Sequence, residues 1–176
     1  MHVGHRHKLQ ADIHWTSIGA GRLALWHRPG RHHFAALRDA GVSHLVTLLL
    51  EREGARAIGE QAEATGLSWV WLPLRGAKKP GAVARQSLNE GLAKLSHLVE
   101  DGSSLLIHCS AGIHRTGMFA YALLRYRGLS RDEALAMIEQ ARPHTREGLE
   151  AHHLRWGDEV AISCVKRPLS AASPSN

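Results

Sequence analysis

Apolar positions along the chain follow two periods. His44–Leu50 (HLVTLLL), Leu67–Leu74 (LSWVWLPL) and Leu105–Cys109 (LLIHC) are nearly unbroken apolar runs. Runs of this length suit strands buried on both faces. Residues 12–18 and 22–27 read as shorter strands around Gly19 and Gly21. Between these runs the spacing becomes helical. Val83, Leu88, Leu92, Leu95 and Val99 predict a helix over 82–100, closed by Asp101 and Gly102. Further helices are expected around Phe34 and Leu37 up to Gly41, over 55–65, over 115–127 and over 146–160. Ser130 with Glu133 forms a capping box that opens one more, over 131–141. Strands alternating with helices imply an α/β fold, with a central, mostly parallel sheet of four to five strands and helices on both faces.

The ends depart from this pattern. Residues 1–10 are polar and carry His5 and His7, and the stretch PLSAASPSN closing residues 166–176 is small and polar. A flexible N-terminal tail, one domain over 11–165 and a disordered C-terminal tail are expected.

Composition narrows the class. The chain has 176 residues, enough for one sizeable core. No apolar run approaches the roughly 20 residues that cross a bilayer. The segment MHVGHRHKLQADIHW has charge but no apolar stretch after it, unlike a secretory leader. Cys109 and Cys164 make no disulfide framework. A soluble protein of a reducing, cytoplasmic compartment is expected, with no membrane partner. The net charge of +6 and the 14 histidines suit anionic partners. The basic residues are scattered without aromatic interleaving, so they do not argue for nucleic acid, which stays open as a partner. Adjacent pairs such as His32–His33 and His152–His153 do not face one ligand on a helix. No tetrahedral ligand set follows from the sequence, so neither a metal nor a cofactor is expected.

The segment His108-Cys-Ser-Ala-Gly-Ile-His-Arg-Thr-Gly117 carries the chemistry, with Cys109 and Arg115 five residues apart. Ser110, Ala111 and Gly112 are small enough for a tight curl, and the backbone N–H groups through Ile113 and His114 can point inward at the start of a helix. Such a loop cradles a phosphate dianion. Arg115 adds a planar fork matching two phosphate oxygens. The same positive field favours a thiolate at Cys109, fit for in-line attack on phosphorus. Thr116 can donate its hydroxyl to the sulfur as it leaves, and His108 fixes the loop by hydrogen bonds.

HCSAGIHRTG resembles the HCxxGxxR-Ser/Thr signature of the protein tyrosine phosphatase superfamily, and the compact chain resembles its small atypical dual-specificity group. IHWTSIGAGRLALWHRPG, ALRDAGVSHLVTLLL at 36–50 and EQARPHT at 139–145 resemble further segments of that group, so the likeness covers about 12–160. It implies a phosphatase acting on phosphotyrosine or mixed phosphoprotein substrates through a cysteinyl-phosphate, with Cys109, Arg115 and Thr116 as its catalytic residues.

One feature departs from the family. Its usual aspartate, which protonates the leaving oxygen, has no counterpart, because no Asp or Glu lies between residues 64 and 89. Glu51 and Glu53 are the nearest substitutes, after the strand at 44–50; the alternative is that both are solvated loop charges. Arg75, Lys78 and Lys79 occupy the matching loop and are candidate contacts for an anionic substrate. His114 replaces a small residue and is expected at the rim, as an extra cation, a proton donor or a bystander. Members of the family acting on RNA 5′-triphosphates lack the acid. A phosphoanhydride or other polyphosphorylated small molecule is therefore the alternative substrate, and a phosphate-binding module with little turnover the alternative function.

Overall fold

The computed structural model describes residues 13–165; the expected tails, with His5 and His7, lie outside the described residues. Strands β1 (Thr16–Ile18) and β2 (Gly21–Trp26) form an antiparallel hairpin. Helix α1 (Phe34–Asp39) leads to β3 (His44–Thr47), and a single 3-10 turn at Glu51–Glu53 precedes α2 (Ala55–Ala64). Then follow β4 (Ser68–Trp71), α3 (Ala82–Glu100) and β5 (Ser104–His108). The chain closes with α4 (His114–Tyr126), α5 (Arg131–Ala141), α6 (Pro143–Glu147) and α7 (Ala151–Val165).

The five strands run in the order β1-β2-β5-β3-β4. All pairs but β1–β2 are parallel. The connections from β2 to β3 and from β3 to β4 move one way across the sheet, and that from β4 to β5 moves back. Right-handed crossovers therefore put α1 and α2 on one face and α3 on the other. This is the α/β sheet expected, and its handedness has a functional result. The winding reverses between β3 and β5, and ligand crevices form beyond the carboxyl ends of strands at such a switch point.

Burial follows the apolar pattern. Leu105, Leu106, Ile107 and His108 of β5 are buried, as are Leu45, Val46 and Thr47 of β3. Phe119 of α4 packs on Trp156 of α7, with ring centroids 5.9 Å apart. Tyr121 donates to Asp158 Oδ1 at 2.5 Å, joining the same two helices.

Four boundaries differ from expectation, the first being the strand expected over 12–18, which is regular only over Thr16–Ile18. The run at 44–50 is strand only to Thr47, after which the chain bends into the turn carrying Glu53. Leu48 stays buried and its N–H donates to the His108 carbonyl at 3.0 Å, so apolarity persists where regular strand does not. The run at 67–74 is strand only over 68–71. The single helix expected at 146–160 is two helices, α6 and α7, parted at Gly148. A Cβ at Gly148 would lie 2.2 Å from Ile113 Cγ2, so the chain breaks where it must pass close to the loop after β5.

Candidate active site

Strand β5 ends at His108, and α4 begins at His114. The five residues between them form the loop. Its carbonyls are all turned outward. Ser110 O accepts from the Arg28 N–H at 3.0 Å. Ala111 O and Gly112 O accept from Arg142 Nη1 at 3.2 and 3.1 Å, and Gly112 O also from Thr145 Oγ1 at 2.6 Å. Cys109 O accepts from His108 Nδ1 at 3.1 Å, and Ile113 O from the Gly117 N–H at 2.7 Å. Opposed peptide geometry leaves the N–H groups to face the concave side, as an anion nest requires. Gly112 has φ +71°, and a Cβ there would lie 1.9 Å from Arg142 Nη1 and 2.2 Å from the Trp26 carbonyl. Only glycine fits.

Cys109 is buried at the base of this nest, and its Sγ accepts from the Gly112 N–H at 3.3 Å. His108 is held from both sides, with Nε2 2.8 Å from Thr47 Oγ1. Trp69 Nε1 can only donate, and it donates to the same oxygen at 2.9 Å. The Thr47 hydroxyl hydrogen then points to Nε2, leaving the ring proton on Nδ1 for the Cys109 carbonyl. Burial pushes the His108 pKa down to about 4, so the ring is neutral.

Arg115 is half-buried and both of its terminal nitrogens are engaged. Nη1 donates to Glu53 Oε2 at 2.8 Å and to the Leu74 carbonyl at 3.2 Å; Nη2 donates to Glu53 Oε1 at 2.9 Å and to Ser110 Oγ at 2.9 Å. The hydrogen bonds from Arg115 hold the Glu53 carboxyl below the usual carboxylate range. The pair corrects both expectations for Glu53. It is neither a solvated loop charge nor an available acid, because its proton affinity is depressed and both oxygens are occupied. Glu51 pairs instead with exposed Arg56.

Thr116 is buried one residue on, and its Oγ1 has no hydrogen-bond partner among the described residues. No Thr116–Cys109 hydrogen bond is present; the hydroxyl is uncommitted. His114 is exposed at the rim and stacks on His153, centroids 5.2 Å apart at 25°. Arg75, Lys78 and Lys79 line a cleft of about 710 Å³ beside the loop, with His114, Glu150 and the histidines at 152 and 153 on its other wall. Lys79 is tied to Glu159 of α7. Three contributors escaped the sequence reading: Glu53 as the arginine's partner, and Arg142 and Thr145 as anchors of the loop. EQARPHT marked the last two as part of a resemblance, without their role.

Comparison with known proteins agrees with this geometry. The model of the dual specificity phosphatase catalytic domain family matches residues 44–156. Kinase associated phosphatase (KAP) is similar in structure, with a TM-score of 0.73 at 16% identity, covering 89% of this chain and 97% of its own. Tk-PTP in its active form gives 0.64 at 24% identity, covering 87% and 96%. PTPMT1 in complex with PI(5)P gives 0.68 at 18% identity, covering 86% and 96%. A loop whose carbonyls are held by hydrogen bonds around buried Cys109 at a strand-to-helix junction, on a five-stranded sheet of this order, is thus joined to a family match over residues 44–156, and the chain belongs to the dual specificity phosphatases of the protein tyrosine phosphatase superfamily.

Proposed function

We propose that this phosphatase hydrolyses phosphomonoesters of phosphotyrosine type, in protein substrates, through a cysteinyl-phosphate on Cys109. The single observation that carries the reading is the outward pinning of every loop carbonyl around a buried cysteine. The loop N–H groups of residues 110–115 bind the phosphoryl oxygens together with Arg115, through its Nε–H and the Nη2 hydrogen that it releases from Ser110 Oγ. The Cys109 thiolate attacks in line and water completes the cycle. Thr116 turns its uncommitted hydroxyl to the sulfur as the second step expels it. His108 acts as a positioning residue, holding the Cys109 carbonyl away from the nest.

The catalytic domain spans 11–165, and a cytoplasmic setting keeps the thiol reduced. No helix among the described residues is long and apolar enough to cross a membrane. The relatives' ligands do not decide the substrate: PTPMT1 holds PI(5)P, whereas the absent acid here favours leaving groups that depart without a proton. Aryl oxides such as tyrosine's, with pKa about 10, are far better in this respect than serine alkoxides.

Cys109→Ser tests the assignment. Turnover of p-nitrophenyl phosphate should vanish while inorganic phosphate still binds, because the nest is backbone. Retention of more than a few per cent of activity would falsify the nucleophile.

A further inference from the structure

The cleft beside the loop is charged in a way that an isolated phosphotyrosine does not use. It starts at the reaction centre: Arg115 Nη1 bonds the Leu74 carbonyl at 3.2 Å, and Leu74, Arg75 and His114 all border the cleft. The 65–88 segment that forms one wall contains no carboxylate. Of its four cations, Lys79 and Arg85 share the Glu159 carboxylate, whereas exposed Arg75 and Lys78 enter no ion pair among the described residues. Across from them, Glu150 pairs with His152 Nδ1 at 3.4 Å. His153 accepts the Glu150 N–H on Nδ1 at 2.9 Å. Burial, and then the neighbouring imidazoles of His152 and His114, hold its pKa down and the ring neutral. Among the described residues lining the cleft, Arg75 and Lys78 are thus the cations without a carboxylate partner, both on the side where the family's acid would stand.

We infer that this cleft is a leaving-group subsite for phosphate, in which Arg75 and Lys78 hold the departing end of a phosphoanhydride. The inference rests on Cys109 as nucleophile. A leaving group that is itself a phosphate needs no proton to depart. It needs its negative charge stabilised, and fixed cations do this where a carboxyl cannot. The Cys109 thiolate attacks the terminal phosphorus, and an S–P bond forms as the P–O bond to the bridging oxygen breaks. The electron pair leaves with that oxygen on the departing phosphate chain, which Arg75 and Lys78 retain as an anion. Water then adds to phosphorus, the S–P pair returns to sulfur, and orthophosphate departs with the water's proton given to solvent. A cleft of about 710 Å³ holds such a chain with room for a nucleoside.

The experiment compares kcat/KM for three probes: p-nitrophenyl phosphate, inorganic tripolyphosphate and ATP. Wild-type protein should hydrolyse at least one anhydride as efficiently as the aryl ester. In an Arg75→Gln/Lys78→Gln variant the anhydride-to-ester ratio of kcat/KM should fall about tenfold or more, the scale of losing charge-assisted hydrogen bonds. Lys94→Gln removes a charge near His44, at the opposite end of β3, and should leave the ratio unchanged. Preference for ATP would assign the cleft to nucleotides, and equal rates to the phosphate chain alone; either supports the subsite. Hydrolysis of the ester with no hydrolysis of either anhydride would overturn the subsite and leave Cys109 standing. So would an unchanged ratio in the double variant. Failure on all three probes would instead remove the phosphatase reading, and the subsite with it.

Discussion

Glu53 holds Arg115 through both terminal nitrogens, at 2.8 and 2.9 Å, across 62 residues of sequence. The two come from adjacent strands, Glu53 from the turn after β3 and Arg115 from the helix after β5. The carboxylate fixes the plane of the guanidinium, and that plane decides whether the fork meets a phosphate.

Glu53→Gln should therefore cost activity by orienting Arg115 poorly, not by removing a proton donor. A loss of about ten- to a hundredfold in kcat/KM is expected, matching one charged hydrogen-bonded pair weakened. The sign of the pH effect follows from the depressed Glu53 pKa. The pair is intact above the usual glutamate range and is lost only as pH falls through the lowered value. The variant should accordingly keep the basic side of the wild-type pH profile and show no new limb near neutrality. If Glu53→Gln removed a basic limb, Glu53 would be the missing acid.

Thr116→Ala should slow breakdown of the intermediate more than its formation. The buried, unpartnered hydroxyl has one neighbouring duty open to it, that of the sulfur leaving phosphorus. A pre-steady-state burst with p-nitrophenyl phosphate should persist while the steady rate drops. Equal slowing of both phases would contradict this role.

Leaving-group dependence should be steep. With no carboxylate over 65–88 and Glu53 bound to Arg115, neither the loop that would carry the family's acid nor the carboxylate paired with Arg115 offers a proton to a departing oxide. A general acid flattens such plots and contributes about 10²–10⁴-fold. Across a series of aryl phosphates kcat/KM should fall sharply as phenol pKa rises, and phosphoserine peptide should turn over slowly. A flat series would show that an acid has relocated.

The His108 pKa, lowered from 6.5 to about 4, makes stability fall with acid. Between these values the unfolded chain binds a proton that the native chain refuses, so stability rises with pH through the window and levels off outside it. The whole effect is on the order of 3 kcal/mol. Urea unfolding of wild type and His108→Asn between pH 7 and about pH 4 should show the steeper rise in the former, since the other groups with lowered pKa values contribute equally to both. Parallel curves would place the buried proton elsewhere.

Much of the architecture was legible because it is local. The apolar run before Cys109, the small residues after it and the Ser130–Glu133 box all act within a few residues, and the box forms as read, with Ser130 N donating to Glu133 Oε2 at 2.7 Å. The mostly parallel sheet followed from strands alternating with helices. What stayed hidden depends on distant approach. Nothing near Glu53 announces Arg115, nothing in the Arg142–Thr145 turn announces the loop carbonyls some 30 residues earlier, and the break at Gly148 exists because Ile113 is in the way. The run at 44–50 misled for a related reason. Apolarity reports burial, and Leu48 is buried outside regular strand.

The carbonyls of the loop are pinned by Arg28, Arg142 and Thr145, all groups of the protein itself. A nest set during folding contacts only the tetrahedral oxyanion and none of what that group is esterified to. Free phosphate satisfies it as fully as a substrate's phosphoryl group does. Competitive inhibition by free phosphate is the expected result, to be read in p-nitrophenyl phosphate turnover. Discrimination between one substrate and another must come from outside the nest.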